Sequence, residues 1–143
     1  MTRAVTIGIL LLSLIGLADS LYLAKHKADG TPLICDIDGL SGCNIVADSQ
    51  YSDIFGIPLA EFGIGFYALI LFLVLARSYV ALRGVASIGT LASLYFIFVQ
   101  VFLIKALCIY CIASALCTFI ILFLSSRPPR REVLSTEEAP LSP

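Results

Sequence analysis

Five cysteines are the residues of this sequence best suited to chemistry, and four of them form two pairs. Cys35 and Cys43 are separated by seven residues, whereas Cys108 and Cys111 form a C-x-x-C motif. Residues three apart on a helix share a face, so the two sulfurs of the motif can form a short disulfide. A helix that begins at this motif would stabilise a thiolate at Cys108 through its free N–H groups and dipole, with Cys111 one turn deeper. Cys117 falls on a different helix face and is expected to be an inert core residue.

Two other roles for the cysteine pairs stay open at this point. In a non-enzymatic membrane protein, the loop cysteines would only staple the loop, and the helix cysteines would be small packing residues. Alternatively, the pairs could bind a thiophilic metal ion, as in mercuric-ion transporters. Such a carrier also needs a cytoplasmic handover site, which the sequence lacks, and His26 is its one histidine. No metal site is therefore predicted.

The composition places these cysteines in a membrane protein. Hydrophobic residues make up 59% of the 143 residues, and Asp, Glu, Lys and Arg only 13%, whereas soluble domains carry about 25% charged residues. So few charges could not cover the surface of a soluble protein. The formal net charge of −1 offers no electrostatic surface for nucleic acid. An ordinary soluble enzyme, a nucleic-acid-binding protein and a disordered chain are excluded, and membrane lipid is the expected environment.

Four apolar segments are long enough to cross a hydrocarbon core of about 30 Å, which takes roughly 20 residues. They predict an all-α integral membrane protein, a four-helix bundle formed by residues 1–126. The predicted spans are residues 4–24, 57–76, 84–104 and 106–126. The first connection, residues 25–56, is far longer than the usual connection of about 4–6 residues. Residues 127–143 contain four prolines and are predicted to form a disordered cytoplasmic tail.

The positive charges orient this bundle in the membrane. Six of the nine basic residues lie before the first span, between the second and third, or after the fourth: Arg3, Arg77, Arg83, Arg127, Arg130 and Arg131. Because these sites share one side of a four-span protein, both termini are predicted to be cytoplasmic. The long loop and the start of the fourth span then face outward, where disulfides persist. A cleaved signal peptide is the alternative for the first span, but no good small-x-small cleavage site follows it.

An acidic residue, Asp19, falls inside the first span near its outer end. Acids at membrane depth are functional candidates by default. The alternative is a structural ion pair with Lys25 or Lys105, which are expected near the same interface. Glu61, at the start of the second span, is expected to be solvated at the membrane surface.

Several stretches together resemble the bacterial homologues of vitamin K epoxide reductase, a membrane family that includes the animal enzyme recycling vitamin K. The matching stretches are Gly16–Leu23, the pair Cys35 and Cys43, Ser49, Phe55–Ala60 with Gly63, and Cys108–Cys111. The resemblance covers about residues 7–124. Many bacterial members carry a fused thioredoxin-like domain after the last span, whereas only 17 residues follow Ser126 here. No fused domain is therefore expected.

The resemblance implies an electron relay by thiol–disulfide exchange. Its catalytic residues would be Cys35, Cys43, Cys108 and Cys111, with a transient Cys43–Cys108 disulfide between the pairs. Cys35 would complete the loop pair, which exchanges with a separate periplasmic thioredoxin-fold protein resembling DsbA. Cys111 would lie nearest a quinone, either ubiquinone or menaquinone. The implied role is support of disulfide formation in exported proteins at the bacterial inner membrane.

The expected quinone site includes Cys111 and five further residues: Ser49, Phe62, Phe66, Tyr67 and Tyr95. Ser49 matches the loop serine of the family, although a turn or cap role is the alternative. The aromatic residues could line the site, but aromatic helix faces more often serve packing. Ala115 stands where animal members have a tyrosine linked to vitamin K binding. This departure favours quinone reduction over epoxide reduction.

Overall fold

Five α-helices and one two-stranded hairpin form the part of the chain that the computed structural model describes, residues 3–31, 33 and 42–126. The elements are α1 (Arg3–Asp29), α2 (Gly42–Ala47), β1 (Asp53–Ile54), β2 (Ile57–Pro58), α3 (Leu59–Leu75), α4 (Tyr79–Phe98) and α5 (Ile109–Ser126). A π-helical segment, Val99–Ile104, continues α4. The predicted catalytic residue Cys35 and the predicted tail, residues 127–143, lie outside the described residues.

Four of these helices form the bundle that the composition predicts. By length and apolar composition, three helical stretches of the described chain can cross a membrane: Arg3–Asp29, Tyr79–Ile104 and Ile109–Ser126. The fourth, α3, has 17 residues and is about 26 Å long at 1.5 Å per residue. Helix α1 packs against α3 and α5, and α4 packs against α5 and α3. The prediction of an all-α membrane bundle is confirmed, and the chain is a membrane protein.

The helix ends differ from the predicted span ends because backbone geometry, rather than hydropathy, decides where a helix stops. Helix α1 continues past residue 24 to Asp29, and Gly30 then takes a left-handed conformation with φ of 62°. The N–H of Thr31 donates to the carbonyl of His26 at 3.2 Å, which closes the helix end. Helix α3 begins at Leu59 rather than at residue 57, because Ile57 and Pro58 pair with β1.

Small residues let the helices approach closely, as is common in membrane bundles. A Cβ atom at Gly16 of α1 would overlap the ring of Tyr67 on α3. Likewise, a Cβ at Gly63 would overlap the Ser20 side chain, and one at Gly89 would overlap the Phe66 ring. The aromatic rings of α3 therefore occupy space that only glycine leaves open on the neighbouring helices.

Tyr67 joins three helices through one buried side chain. Its ring lies against Gly16 of α1, and its hydroxyl donates to the carbonyl of Ser114 on α5 at 2.9 Å. The same hydroxyl lies 2.7 Å from Ser114 Oγ and 3.1 Å from Thr118 Oγ1. Tyr67 also belongs to the main apolar core, with Ile9, Ile70, Val74, Leu82, Ala86 and Ile121. The Tyr67 hydroxyl is therefore hydrogen-bonded within the core, and the Tyr67 ring packs α3 against α1.

The segment after α2 is fastened to the end of α1 by Lys27. Its ammonium donates to the carbonyl of Ala47 and to the hydroxyl of Ser52, both at 2.6 Å. It also lies 3.1 Å from a carboxylate oxygen of Asp53. One cation therefore ties the C-terminal end of α2 and the start of the hairpin to the first membrane helix.

We expect Gly16→Ala to destabilise the bundle, because the added methyl group meets a fully buried tyrosine ring. Forcing extra volume into a packed core costs about 1–3 kcal/mol. Gly65→Ala on α3 is the matched control, since a Cβ there meets no atom within 4 Å. Thermal unfolding in detergent checks this: a lower midpoint for the first variant alone is expected, and equal midpoints would contradict the packing argument.

Candidate redox site

The two cysteine-bearing segments meet at the end of the bundle where α1 ends and α5 begins, which we call the cysteine end. A Cβ on Gly42, the first residue of α2, would overlap the backbone of Leu107. The residues that follow these two are Cys43 and Cys108. Each is 1% exposed, and both belong to one buried cluster with Leu33 and Val46. Contact between the backbones therefore brings one cysteine of each predicted pair into the same small core.

The described cysteines differ in redox state. Cys43 is disulfide-bonded, whereas Cys108, Cys111 and Cys117 are free thiols. Cys111 packs against the buried cluster that contains Cys43 and Cys108. A thiol pair and a disulfide sulfur thus share one buried environment, which is the arrangement that thiol–disulfide exchange requires.

Cys108 occupies the N-terminal end of α5, where the helix amides are free. Its carbonyl accepts the first helical hydrogen bond from the N–H of Ile112 at 3.1 Å. The Cys111 thiol, together with the backbone N–H groups of Cys111 and Tyr110, hydrogen-bonds the Cys108 sulfur and lowers its pKa from 9.0 to about 7. Burial and the negative charge of Asp19 oppose this shift. Cys108 is consequently the thiol of the motif that ionises near neutral pH.

A buried glutamine, Gln100, holds the backbone of Cys108 in place. Gln100 is 3% exposed within the π-helical segment, and its side-chain Oε1 accepts a hydrogen bond from the Cys108 N–H at 3.2 Å. Its carbonyl accepts from the N–H of Ala106 at 3.1 Å, after Lys105 turns the chain with φ of 56°. Such π-helical turns occur frequently at functional sites. Here the π-helical segment ends α4 in a tight connection, and Cys108, which follows this connection, lies next to α2.

A cavity of about 590 Å³ lies among the helices next to the cysteines. Its size falls within the range of about 300–1,000 Å³ that is usual for ligand pockets. Cys43, Cys108 and Cys111 all line it, and most of its wall is apolar. Other lining residues include Asp19, Ser49, Phe62, Phe66, Tyr67, Gln100, Ser114 and Thr118.

The structure brings most of the predicted quinone-site residues to this cavity. Ser49, Phe62, Phe66 and Tyr67 line it with Cys111. The Ser49 hydroxyl also donates to the carbonyl of Val46 at 2.8 Å, so this serine caps the end of α2 as well. The assignment of these residues to a quinone site stays a prediction.

Tyr95 lies elsewhere. It is 61% exposed and lines a separate cavity of about 240 Å³ together with Tyr51, Ile54 and Phe96. Residues of the hairpin line this second cavity with Tyr95, whereas the described cysteines do not. Cys117 is not part of the wall of the larger cavity.

The ion pair of Asp19 with Lys25 or Lys105, which was the structural alternative, is absent from the described residues. The ion pair found there joins Lys27 to Asp53 instead. Asp19 lines the large cavity, and its Oδ2 atom is buried without a hydrogen-bond partner. The first span therefore directs its acid toward the interior of the bundle.

Comparison with known proteins identifies the group to which this fold and site belong. The profile of the Vitamin K epoxide reductase family matches residues 7–126. The chain belongs to this family. The resemblance found in the sequence motifs is thus confirmed, and the matched region contains every cysteine of this vitamin K epoxide reductase homologue.

A plant protein is a further relative of this vitamin K epoxide reductase homologue. The thiol-disulfide oxidoreductase LTO1 of Arabidopsis thaliana is 30% identical to the chain over 121 residues. The alignment covers 75% of the chain and 32% of the plant protein. The chain therefore spans about a third of the length of this relative.

Sequence reasoning missed the residues that assemble the site. Gly42 is an ordinary loop glycine in the sequence, and the residues next to it in the chain do not indicate that it contacts Leu107. Lys27 and Asp53 are two charged residues far apart in the sequence, and no motif indicates that they form an ion pair. Gln100 is a single amide in an apolar span, and this polarity is the signal by which the sequence could have indicated it.

We expect the reactivity of Cys108 in the reduced C-x-x-C state to rise with pH and reach half its maximum near pH 7. Below this pH the sulfur is protonated, and above it the thiolate predominates. Cys111→Ala removes the largest cause of the lowered pKa, so the midpoint moves upward toward 9.0. Alkylation rates of the Cys108 peptide, followed by mass spectrometry across pH, check this. An unchanged midpoint in the variant would contradict the assigned hydrogen bond.

Gly42→Ala should impair exchange between Cys43 and Cys108, because the methyl group separates α2 from Leu107. In a Cys111→Ala background at alkaline pH, Cys108 has no neighbouring thiol to resolve a mixed disulfide. We expect the yield of trapped Cys43–Cys108 disulfide to fall about tenfold, equivalent to roughly 1.4 kcal/mol of misfit. Non-reducing peptide mapping measures it.

The matched control for this experiment is Gly84→Ala on α4, where a Cβ meets no atom within 4 Å. Its trapped yield should equal that of the parent variant. Equal yields from Gly42→Ala and Gly84→Ala would show that contact between the Gly42 and Leu107 backbones is dispensable for exchange.

Proposed function

We propose that this membrane protein is a thiol oxidoreductase that reoxidises a thioredoxin-fold dithiol protein and passes the electrons to a membrane quinone. The observation that carries the proposal is the burial of disulfide-bonded Cys43 and the free thiol Cys108 in one cluster. Both line a single cavity with Cys111. The name of the plant relative, a thiol-disulfide oxidoreductase, supports the same class of reaction.

The step between the two pairs is an exchange of disulfides. The Cys108 thiolate attacks the Cys43 sulfur, a Cys43–Cys108 bond forms, and the former partner of Cys43 leaves as a thiolate. The resemblance assigns that partner as Cys35. In the opposite direction, reduced Cys43 attacks an oxidised Cys108–Cys111 pair and Cys111 leaves. The same mixed disulfide lies on both routes, so the electron donor and acceptor decide the net direction.

The residues around the cavity fit a quinone. The volume of about 590 Å³ suits a ring with part of its isoprenoid tail, and the wall is apolar with few polar groups, as in small-molecule sites. A bound quinone supplies an acceptor for two electrons and two protons. Cys108 and Cys111 release that number of each when they form a disulfide. Cys111 lines the cavity, and the aromatic side chains of Phe62 and Phe66 would flank a flat ring.

The location follows from the charges of the sequence. Both termini are proposed to be cytoplasmic, with the cysteine end at the outer face of a bacterial inner membrane. The loop pair is then accessible to a periplasmic donor resembling DsbA, with Cys35 exchanging with it. The physiological output would be disulfide bonds in exported proteins, with electrons passed to ubiquinone or menaquinone.

The function is tested with purified protein in detergent, a reduced thioredoxin-fold donor and a soluble quinone. We expect donor-dependent quinone reduction, followed by ultraviolet absorbance, and its complete loss in Cys111→Ala because the motif can no longer form its disulfide. Cys117→Ser is the matched control and should retain activity, since Cys117 does not line the cavity.

Three other outcomes would separate the alternatives. No quinone reduction by folded protein with either quinone class would refute the proposal. Loss of stability on removal of the loop cysteines, without any redox turnover, would favour a stapled loop. Stoichiometric binding of a thiophilic ion by the reduced protein would favour a metal carrier.

A further inference from the structure

Asp19 is the most unusual polar residue within the membrane helices. One of its carboxylate oxygens, Oδ2, is buried and has no hydrogen-bond partner among the described residues. A carboxylate in such surroundings is costly, and acids at membrane depth usually mark functional pathways. Because Asp19 lines the large cavity, its unpartnered oxygen is available to a group that enters that cavity.

The titratable groups that interact with Asp19 from the neighbouring helices lie on two sides. On α5 and the residue before it, Cys108, Tyr110, Cys111 and Cys117 lie within electrostatic range of the carboxylate. On α3, the Tyr67 hydroxyl also lies within electrostatic range of the Asp19 carboxylate. The α4 residues that line the cavity include no titratable side chain.

The cation nearest along the same helix face does not neutralise this acid. Lys27 lies two turns beyond Asp19 on α1 and also lines the cavity. Its ammonium is already engaged by Ala47, Ser52 and Asp53. Among the described residues, the carboxyl therefore has thiols and phenols as neighbours rather than a partner of opposite charge, and these neighbours carry protons.

We propose that Asp19 is the proton-transfer group of the cavity. It accepts the thiol proton released as Cys111 reacts and delivers it to the electron acceptor bound there. This inference rests on the quinone-dependent function proposed above and assigns a role that the cysteines alone do not fill. Cys111 lines the same cavity as Asp19, and its thiol proton needs a base in that cavity when the sulfur reacts there.

The proposed step balances. Oxidation of the Cys108–Cys111 dithiol breaks two S–H bonds, forms one S–S bond, and releases two electrons and two protons. Cys108 releases its proton to water near neutral pH, and the reduced acceptor takes up one proton from water in exchange. Asp19 takes the proton of Cys111 and gives it up again to the reduced acceptor, so the carboxylate is restored after each turnover.

The test compares Asp19→Asn, Asp19→Glu and Glu61→Gln in quinone-dependent oxidation of the prereduced protein. Asparagine is nearly isosteric but accepts no proton, so we expect a rate loss of about a hundredfold, typical of a missing acid–base group. Glutamate keeps the carboxyl and should restore most of the rate. Glu61→Gln removes an exposed carboxylate outside the cavity and should leave the rate unchanged.

The pH profile separates proton transfer from a structural effect. At acid pH, the logarithm of the wild-type rate should rise with a slope of about two, one proton each for Cys108 and Asp19, and the slope in Asp19→Asn should fall to about one. A second measurement uses no quinone. Because the charge of Asp19 raises the pKa of Cys108, the alkylation midpoint of Cys108 should move down in Asp19→Asn.

Each remaining outcome overturns the proposal in a recognisable way. An unchanged rate and slope in Asp19→Asn, while Cys111→Ala is inactive, refutes the role of Asp19 but leaves the oxidoreductase function standing. Equal losses in Asp19→Asn and Asp19→Glu would show that the residue matters only for structure. No quinone reduction by the wild-type protein refutes the function and this inference together.

Discussion

The contact between the backbones of Gly42 and Leu107 is the constraint on which the site depends. Thiol–disulfide exchange needs direct contact between sulfurs. Cys43, however, lies within the long connection between α1 and α3, and Cys108 lies between the π-helical segment and α5. Any side chain at position 42 would hold these segments apart. Because glycine has no side chain, the start of α2 contacts the backbone of Leu107. The residues that follow, Cys43 and Cys108, then lie in one buried cluster.

The rest of the fold serves to maintain that contact. Lys27 fixes the far end of α2 and the start of the hairpin to α1, so α2 is held at both ends. Gln100 accepts the Cys108 N–H and holds the start of α5 from the other side. Deeper in the bundle, Tyr67 sets the spacing of α1, α3 and α5. Its ring packs against Gly16, and its hydroxyl donates a hydrogen bond to the carbonyl of Ser114. Residues of both levels line the cavity, Cys43 and Cys108 at the cysteine end and Tyr67 and Ser114 deeper in the bundle.

Much of this arrangement is predictable from the sequence, because hydropathy and cysteine spacing are local properties. The four apolar stretches, the C-x-x-C motif at a helix start and the family motifs required no knowledge of contacts. Helix ends were less predictable: Gly30 stops α1 by its backbone conformation, beyond the last apolar residue. The roles of Gly42 and Lys27 were not predictable, since each depends on a partner distant in sequence. Tyr95 was placed with Phe62 because aromatic character alone does not report which way a helix faces.

The two thiols of the motif owe their different properties to their positions one helical turn apart. Cys108 lies at the free amides of α5 and receives the Cys111 thiol as a hydrogen-bond donor, so it ionises readily and is suited to exchange with Cys43. Cys111 packs against the buried cluster and lines the cavity with Asp19, whose Oδ2 has no hydrogen-bond partner among the described residues. The spacing of two thiols one turn apart would be the same in any helix. What distinguishes this site is that α2 packs against the first sulfur, whereas Asp19 lines the cavity with the second. The proposed electron exchange with the loop and the proposed proton exchange with the cavity would therefore use different atoms.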